Sequence, residues 1–463
     1  MSGNALVALK HATENTATVF YRDNGSGGVL TASCNGQTFT GETLSPSSRD
    51  GSGLVTITGL TGGNSYPFTL ALDGVQVYSG ALKTAPVAGS TWTYGFGSCF
   101  KYNRPSTALT ALIERFGNQL RGFNFQGDIP YLDDGLTSNF SFKGETIKDL
   151  GAVLIGSPGD DGTIINPNIY AHHRLYWSLD GVKEMMRAVP CHFVPSDHDI
   201  GPGDNVGLAL SDANLISAVN AYNVWCDTAA HAKAVVGYCQ SAIRQTYWRG
   251  NPSNADANNQ AGWAADEQTY FAFDWGDATL IFCDHATNAD WSSVYTGTAQ
   301  TQWIKDTLSA STKTWKLIFI GGAMSEFTTN KTTQAPELKG ISDYITVNDI
   351  TGVSILTGDL HSPAVFNDGT LVTVRACPAG QTPHTNLTDD YGPTTTAPGW
   401  KWQGYKSNGT SIPDIMHVAG YVTVHGSSYM EIGIMTDTGD DLIPPMRIDA
   451  GTNAVTVRRT RMG

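Results

Sequence analysis

Short apolar or β-branched segments, separated by glycine, serine and asparagine turns, fill the chain from residue 17 to residue 84. Residues 17–21 read Ala-Thr-Val-Phe-Tyr and residues 54–58 read Leu-Val-Thr-Ile-Thr, and both patterns are typical of strands. The pair Asp73-Gly74 predicts a hairpin turn between two further strands. The region is therefore predicted to be a small β-sandwich, and no residue in it carries obvious chemistry.

A linker of small residues, proline and glycine at 84–90 ends this pattern, and the chain then alternates between strand and helix patterns. Residues 106–116 carry apolar side chains at helical spacing, and strand-like sequence returns at 419–459. Continuous apolar runs, as expected of buried strands, occupy residues 279–283, 316–320 and 353–356. The alternation predicts a layered α/β structure, with a β-sandwich domain at residues 1–86 and a catalytic domain at 90–463 that includes the C-terminal strands.

The charge balance argues against nucleic acid as a partner. The chain has 463 residues, a net charge of −14 and a pI near 5.1, and its densest basic cluster is the short run Arg458–Arg461. A protein that binds nucleic acid by neutralising phosphates needs a basic face, which these residues do not supply. No run of ~20 apolar residues is present, so no membrane span is expected.

Cysteine usage and the start of the chain limit the remaining classes. The seven cysteines include no Cys-x-x-Cys pair, which argues against a disulfide scaffold and against a four-cysteine zinc site. No secretory signal is visible after Met1, so the protein is expected to be cytoplasmic, or secreted or periplasmic if a signal has been removed. The oligomeric state is left open.

Polar residues follow four of the predicted strands directly. In α/β folds the carboxyl ends of the strands face the site, so these residues are expected to converge. A thiolate, carboxylates and imidazoles together are typical of a multinuclear metal site, which suits phosphoester chemistry because metals neutralise phosphate charge and lower the pKa of a bound water. The residues concerned are Cys99, Asp128, Asp197-His198-Asp199, Asp359 and His361.

These motifs occur in an order that resembles the calcineurin-like metallophosphatases, in their PhoD-like (alkaline phosphatase D) branch. The motifs are Gly97-Ser98-Cys99, Gly127-Asp128, Asp197-His198-Asp199 and Gly358-Asp359-Leu360-His361. The helix start at 297–304 is similar to the Gly-x-x-Gln-x-x-Trp-Leu segment of that family, and the resemblance spans roughly residues 90 to 425. It implies a two-sheet metallophosphatase-type α/β sandwich, and residues 59–68 resemble a corner of fibronectin type III domains.

The resemblance also implies an activity. The protein is expected to be a phosphoric ester hydrolase, an alkaline phosphatase or phosphodiesterase, that attacks a small phosphoester with a metal-bound hydroxide. Ferric iron with calcium is the metal set that the family implies. Two alternatives remain: a strict phosphodiesterase or phospholipase-type activity, and a non-catalytic surface or virion binding protein with a degenerate hydrolase domain.

Individual roles follow from the same resemblance. Cys99 would bind a ferric-type metal as thiolate, Asp128 would bridge two metals, and Asp197 would bind the second metal. Asp359 and His361 would each bind a metal, or one of them would orient the other. These five residues, together with a tyrosine at Tyr176, form the expected metal set.

Three further residues have expected roles near the metals. His198 would face the phosphoryl group and stabilise its charge or protonate the leaving oxygen. A tyrosine ligand is expected at Tyr176, with Tyr170 as the alternative. His285 stands in Asp284-His285-Ala286, where many family members have Asp-x-Arg, and is expected to contact the substrate or to be an ordinary strand-end residue.

Other residues have a structural interpretation. Ser196 replaces an aspartate that the family usually has before Asp197. His172-His173 is predicted to be a solvated loop pair, with a ligand role as the minor alternative. Cys191, Cys283 and Cys377 are predicted to be buried thiols that behave as small apolar side chains.

Overall fold

The computed structural model describes residues 5–23, 25, 27–44, 49–102, 104, 106–132, 140–142, 145–147, 165–201, 206–220, 226–243, 247–252, 269–287, 289–290, 296–321, 336–359, 361, 363–367, 371–379, 400–403, 417–442, 444–453 and 455–457. The basic run Arg458–Arg461 and the glycine- and proline-rich loop at 202–205 lie outside these residues. No helix in the described part of the chain is long and apolar enough to cross a membrane.

The N-terminal region consists of two antiparallel sheets, with strand orders β1-β2-β5 and β4-β3-β6-β7. Asp73 and Gly74 connect the last two strands of this region, which confirms the predicted hairpin. The strands are β1 Leu6–Ala12, β2 Thr16–Arg22, β3 Gly28–Cys34, β4 Gln37–Leu44, β5 Ser52–Thr58, β6 Ser65–Leu72 and β7 Val75–Lys83. The predicted β-sandwich is therefore confirmed.

Strand β2 is buried along almost its whole length because both of its faces are covered. Val19 and Tyr21 point into the core of the sandwich, whereas Phe20 points the other way and packs edge-on against Trp177, with ring centroids 5.4 Å apart. Side chains alternate across a strand, so one strand can serve two cores. The sandwich therefore packs directly against the rest of the molecule.

The remaining strands form two seven-stranded sheets and one short hairpin. The first sheet has the order β12-β9-β8-β20-β21-β22-β23, the second has the order β13-β14-β15-β16-β18-β17-β19, and β10 pairs with β11. The strands are β8 Thr91–Gly97, β9 Leu120–Phe125, β10 Phe140–Phe142, β11 Glu145–Ile147, β12 Cys191–Phe193, β13 Phe271–Trp275, β14 Ala278–Cys283, β15 Trp315–Ile320, β16 Val353–Thr357, β17 Ala364–Asn367, β18 Val372–Arg375, β19 Trp400–Gln403, β20 Val418–His425, β21 Tyr429–Thr436, β22 Met446–Asp449 and β23 Val455–Val457.

The two large sheets face each other across an aromatic layer, with helices on their outer faces. Phe319 lies 5.1 Å from Tyr94 of the facing sheet and 5.0 Å from its neighbour Phe282, measured between ring centroids. The helices are Thr107–Phe116, Ile165–Trp177, Val182–Ala188, Asp197–Ile200, Asp212–Val219, Ala229–Ala242, Thr298–Ala310 and Pro336–Val347. This arrangement confirms the predicted two-sheet α/β sandwich behind an N-terminal β-sandwich.

The parallel strands β8, β9 and β12 of the first sheet end at one edge, in register at Gly97, Phe125 and Phe193. The Gln126 side-chain amide donates a 2.7 Å hydrogen bond to the Leu356 carbonyl on β16 of the second sheet. This bond joins the carboxyl ends of the two sheets, so the segments that follow β8, β9, β12 and β16 meet there.

The histidines at 172 and 173 correct one prediction. Both lie in the helix Ile165–Trp177 and are fully buried, so they are not a solvated loop pair. His173 stacks on Tyr247 with ring centroids 4.6 Å apart, and burial lowers the pKa of His173 to about 3. A neutral imidazole can pack as an aromatic ring, which explains why His173 is buried rather than solvated.

Candidate metal centre

Four of the predicted ligands have left-handed backbone conformations. The φ angles are 64° at Cys99, 57° at Asp128, 74° at Asp359 and 40° at His361, which makes four of the nine positive-φ residues other than glycine in the described part of the chain. Residues other than glycine seldom adopt this region, and each instance costs on the order of 1–3 kcal/mol. Such a concentration at one edge of the sheets indicates that the fold holds these side chains where a relaxed backbone would not.

Cys99, Asp128 and His361 form a first group of donors. One ligand atom from each of the three lies within 4.8 Å of the others. The Cys99 thiol lies 3.3 Å from Asp128 Oδ2 and 3.1 Å from the Asp359 carbonyl oxygen. A sulfur, a carboxylate and an imidazole donor therefore lie close together.

Asp128, Asp197 and His198 form a second group by the same 4.8 Å criterion. Asp128 belongs to both groups, and its Oδ2 atom is the one that faces Cys99. Its other oxygen, Oδ1, is buried and has no hydrogen-bond partner among the described residues. A buried carboxylate oxygen without a donor is costly, so a cation beside Asp128 would satisfy it.

Asp359 lies beside Ser98 and Cys99 at the same edge of the sheets. Its backbone N–H donates a 2.9 Å hydrogen bond to Ser98 Oγ, which ties the end of β16 to the residue before Cys99. An added Cβ at Gly358 would lie 2.3 Å from the same Ser98 oxygen, so only glycine allows this approach. Burial, and then the nearby carboxylates of Asp197 and Asp128, raise the pKa of Asp359 well above its usual value.

Tyr131 is a site residue that the sequence analysis missed. Its hydroxyl donates a 2.8 Å hydrogen bond to Asp128 Oδ2 and lies 2.9 Å from His361 Nε2, while its ring centroid is 4.4 Å from that of His198. The signal was present in the sequence, because Tyr131 stands three residues after Asp128 in the same loop.

The two tyrosines named as candidate ligands both lie in the helix Ile165–Trp177. Tyr176 is buried in the same hydrophobic cluster as Tyr131. Tyr170 lies beside Tyr247, whose hydroxyl donates to the Tyr170 carbonyl at 3.3 Å and also to the carboxylate of Asp50. Tyr131 is the tyrosine with described hydrogen bonds to the donor groups, and a ligand role for Tyr176 or Tyr170 stays a prediction.

Asp199 fixes the loop that carries Asp128. Its carboxylate accepts hydrogen bonds from the backbone N–H groups of Asp128 at 2.7 Å, Ile129 at 2.8 Å and Ser196 at 2.9 Å. Asp199 was predicted only as a member of the Asp197-His198-Asp199 motif, without a role of its own. Three backbone donors on one carboxylate hold two strand-end loops in a single arrangement.

Ser196 keeps one polar contact although it replaces the aspartate expected there. Its hydroxyl donates a 3.0 Å hydrogen bond to Asp197 Oδ1. Gly127 approaches it so closely that an added Cβ would lie 2.4 Å from the Ser196 Cβ. A small residue at 196 therefore fits this tight packing.

His285 lies at the end of β14, on the other sheet but beside the same centre. It is fully buried, and an added Cβ at Gly321 would lie 2.6 Å from its Cε1 atom and 3.0 Å from the Gln126 carbonyl oxygen. Burial lowers the pKa of His285 to about 4, while the carboxylates of Asp284 and Asp197 act in the opposite direction. The approach of His285 and Gln126 to Gly321 places His285 near the carboxyl ends of both sheets.

The electrostatics of the centre fit bound cations. Burial raises the pKa of Asp128 to about 6, even though His198 and the Tyr131 hydroxyl act to lower it. Burial likewise raises the pKa of the Cys99 thiol well above its usual value. Neither Asp128 nor Asp359 has a lysine or arginine ion-pair partner among the described residues. A cation placed between these groups would favour their ionised forms and offset the cost of burying them.

Comparison with known proteins places this site in a known fold. No protein-family model matches the sequence, and no curated protein matches it. A structure of PhoD superposes with a TM-score of 0.67 at 14% identity, covering 98% of this chain and 91% of that chain. A purple acid phosphatase from yellow lupin (Lupinus luteus) seeds superposes with a TM-score of 0.59 at 11% identity, covering 96% and 74%. The chain therefore has the fold shared by PhoD and purple acid phosphatase, as the motifs had predicted.

Proposed function

We propose that the protein is a PhoD-like, metal-dependent hydrolase of small phosphoesters. One observation carries the proposal: two donor groups share the Asp128 carboxylate at the carboxyl ends of both sheets, within the fold of PhoD. A carboxylate shared by two groups of donors is what a bridged metal pair requires. Two-metal sites of this kind are suited to phosphoester hydrolysis.

The chemistry of the donors supports a different cation at each of the two groups. Cys99, His361 and the Tyr131 hydroxyl would hold a ferric-type ion together with one oxygen of Asp128, because soft sulfur and imidazole donors suit transition metals. Asp197, with the other Asp128 oxygen and Asp359, would hold a harder cation such as calcium. Bound there, the cations would neutralise phosphate charge and lower the pKa of a water molecule.

His198 acts on the phosphoryl group in this proposal. Its ring nitrogen lies within 4.8 Å of carboxylate oxygens of both Asp128 and Asp197, so a phosphate held at the centre would be within its reach. The imidazolium can donate a hydrogen bond to a phosphoryl oxygen or a proton to the leaving oxygen. His285, at the end of β14 on the opposite sheet, would also contact the substrate in this proposal.

Elemental analysis and an ester panel test the proposal together. Purified full-length protein is expected to contain iron with a second cation and to hydrolyse aryl phosphomonoesters or diesters, with activity lost on chelation and restored by the same metals. Asp359→Asn is expected to lose both metal and activity. Asp343→Asn, a matched change at an exposed carboxylate that pairs with Lys339 on a helix surface, should retain them.

The pattern of results separates the alternatives. Turnover of diesters alone would identify a phosphodiesterase. A protein that binds both cations but hydrolyses no ester in the panel would contradict the enzymatic proposal and favour a binding role.

A further inference from the structure

We propose that Gln300 and Asp284 are positioning residues, which together hold the His285 imidazole at the carboxyl ends of the two sheets for contact with the substrate. The position of His285 rests on hydrogen bonds and packing. Its contact with a substrate rests on the proposed function. Gln300 lies in the segment 297–304, the helix start that resembles a family motif, and the donor groups of the metal centre do not include it.

The Gln300 side-chain amide binds the backbone of Asp284 at two points. Its Oε1 atom accepts a 2.8 Å hydrogen bond from the Asp284 N–H, and its Nε2 atom donates a 2.5 Å hydrogen bond to the Asp284 carbonyl oxygen. Nε2 also donates to the Thr296 carbonyl oxygen at 3.1 Å. Both N–H donors and the oxygen of the buried amide are therefore used. These bonds fix the residue that follows β14 to the start of the helix Thr298–Ala310.

The Asp284 carboxylate fixes the turn that contains His285. Its Oδ1 atom accepts hydrogen bonds from the backbone N–H groups of Ala286 at 3.1 Å and Thr287 at 2.9 Å. Its Oδ2 atom accepts a hydrogen bond from the Thr269 hydroxyl. An aspartate that bonds the backbone two and three residues further along the chain stabilises a turn. The residues on both sides of His285 are therefore held in place.

The ring of His285 packs against Gly321, the residue that follows β15. An added Cβ at Gly321 would lie 2.6 Å from the His285 Cε1 atom and 3.0 Å from the Gln126 carbonyl oxygen. The Gly321 carbonyl oxygen accepts a 3.2 Å hydrogen bond from the N–H of Gly358, which directly precedes Asp359. Gly321 therefore lies between the His285 ring and the segments that lead to the metal donors.

A fixed turn lowers the cost of using His285 in binding. Side chains that must be ordered when a ligand binds reduce its affinity, and a ring that is already in place avoids this cost. A displacement of about 1 Å at a site that contacts the substrate can lower a rate by ~10²-fold. Loss of the Gln300 amide is therefore expected to affect the substrate through His285, although Gln300 itself lies on an outer helix.

A double-mutant cycle on the metal-loaded, full-length protein separates positioning from a purely structural role. Gln300→Met keeps the length of the side chain but removes its hydrogen bonds, and it should lower kcat/KM for an aryl phosphoester by up to ~10²-fold with both metals retained. If Gln300 acts through His285, its loss has no further effect once the imidazole is gone. The double variant Gln300→Met/His285→Ala should then match His285→Ala, whereas independent roles give additive losses.

Two matched changes control the cycle. Gln302→Met alters an exposed amide on the same helix that donates to Asp306 Oδ1 at 2.8 Å, and it should keep the wild-type kcat/KM. Asp284→Asn retains a side-chain oxygen that can accept from the two N–H groups of the turn, so it should lose less activity than Asp284→Leu.

Crystal structures of the wild type and the variants test the position of the ring without turnover. The His285 imidazole is expected to move or to become disordered in Gln300→Met and in Asp284→Leu, and to stay in place in Gln302→Met. Gln300→Glu is the second variant if Gln300→Met does not fold, because it keeps the shape of the side chain and loses the N–H donors. It should displace the ring in the same way.

Each outcome has a distinct meaning. An unmoved His285 ring in the Gln300 variants would overturn the positioning role and leave the proposed function intact. A displaced ring with additive losses of kcat/KM would also overturn it, because Gln300 would then act independently of His285. A displaced ring with non-additive losses supports the proposal. If the wild type hydrolyses no ester, the proposed function fails, and the crystal structures still decide whether Gln300 positions His285.

Discussion

Acidic side chains at two places in this molecule balance their charge in opposite ways. At the contact between the N-terminal sandwich and the α/β region, the Asp50 carboxylate is 3.2 Å from Arg22 Nε, 2.7 Å from Arg174 Nη1 and hydrogen-bonded by the Tyr247 hydroxyl. At the metal centre, Asp128 and Asp359 have no such cationic partners among the described residues.

The comparison distinguishes a carboxylate that stabilises the fold from carboxylates that are proposed to bind metals. The chain itself supplies the cations around Asp50, one from the sandwich and one from the helix Ile165–Trp177. That group is complete when the protein folds, and it joins two regions. At the centre, burial raises the pKa values of Asp128, Asp359 and Cys99, and the proposed function assigns the neutralising charge to bound cations. Substitution of Asp50 should therefore lower stability, whereas substitutions at the centre should lower metal content and turnover.

Asp128→Ala is expected to have the largest effect. Its carboxylate belongs to both donor groups, so metal affinity should fall by more than the ~10–100-fold that is typical when a residue supporting a ligand is lost, and turnover should fall to background. Inductively coupled plasma mass spectrometry and steady-state rates measure both. Asp349→Ala, an exposed aspartate with a similar φ of 50°, controls for the backbone change and should retain both metals. Retention of both cations by Asp128→Ala would refute the bridging role.

His198→Ala should lower turnover by ~10²–10⁴-fold while the metal content stays near that of the wild type. The reason is that His198 is proposed to contact the phosphoryl group, whereas the carboxylates hold the cations. His198→Asn separates this from a purely structural role, because a hydrogen bond that only orients the loop would survive in Asn. Near-normal turnover in the Asn variant would remove His198 from the chemistry.

Asp50→Ala should have the opposite profile. Removing the carboxylate leaves two guanidinium groups close together, and breaking a buried ion pair in this way lowers the free energy of unfolding by about 3 kcal/mol. Urea denaturation measures this loss, and metal content per folded molecule should not change. If Asp50→Ala lost metal at unchanged stability, the two acidic groups would not be independent.

Tyr131→Phe is expected to have the smallest effect, about a tenfold loss of metal affinity. The variant removes a hydroxyl that contacts Asp128 and His361 but keeps the ring against His198, and such supporting groups are typically worth ~10–100-fold. Tyr176→Phe and Tyr170→Phe are matched controls that should bind metal as the wild type does. A larger loss in Tyr176→Phe than in Tyr131→Phe would restore the first assignment of the metal-site tyrosine.

The sequence predicted the fold well wherever burial set the pattern. The apolar runs of residues 279–283, 316–320 and 353–356 became the neighbouring strands β14, β15 and β16, because strands buried on both faces are apolar throughout. The helix predicted at 106–116 is observed at Thr107–Phe116. Residues placed after these strands by the same logic came together, since parallel strands end at a common edge.

Contacts made across the sheets were harder to predict. Tyr131 was missed because the argument counted residues at strand ends, and this tyrosine returns to the centre from the loop beyond Asp128. Cys377 follows a strand that was not predicted, and its segment reaches this edge because β18 pairs with β16. The surroundings of a buried tyrosine such as Tyr176 also depend on tertiary packing, which no local sequence pattern contains.

The left-handed backbone at four ligand positions implies that stability and function pull this edge of the molecule in different directions. Glycine tolerates such angles without penalty, so replacing Cys99, Asp359 or His361 by glycine would relieve strain in the folded chain. Each replacement would also delete a donor. Under the proposed function, selection for a more stable folded chain alone would therefore act against these donors, since each one costs backbone strain that only metal binding would justify.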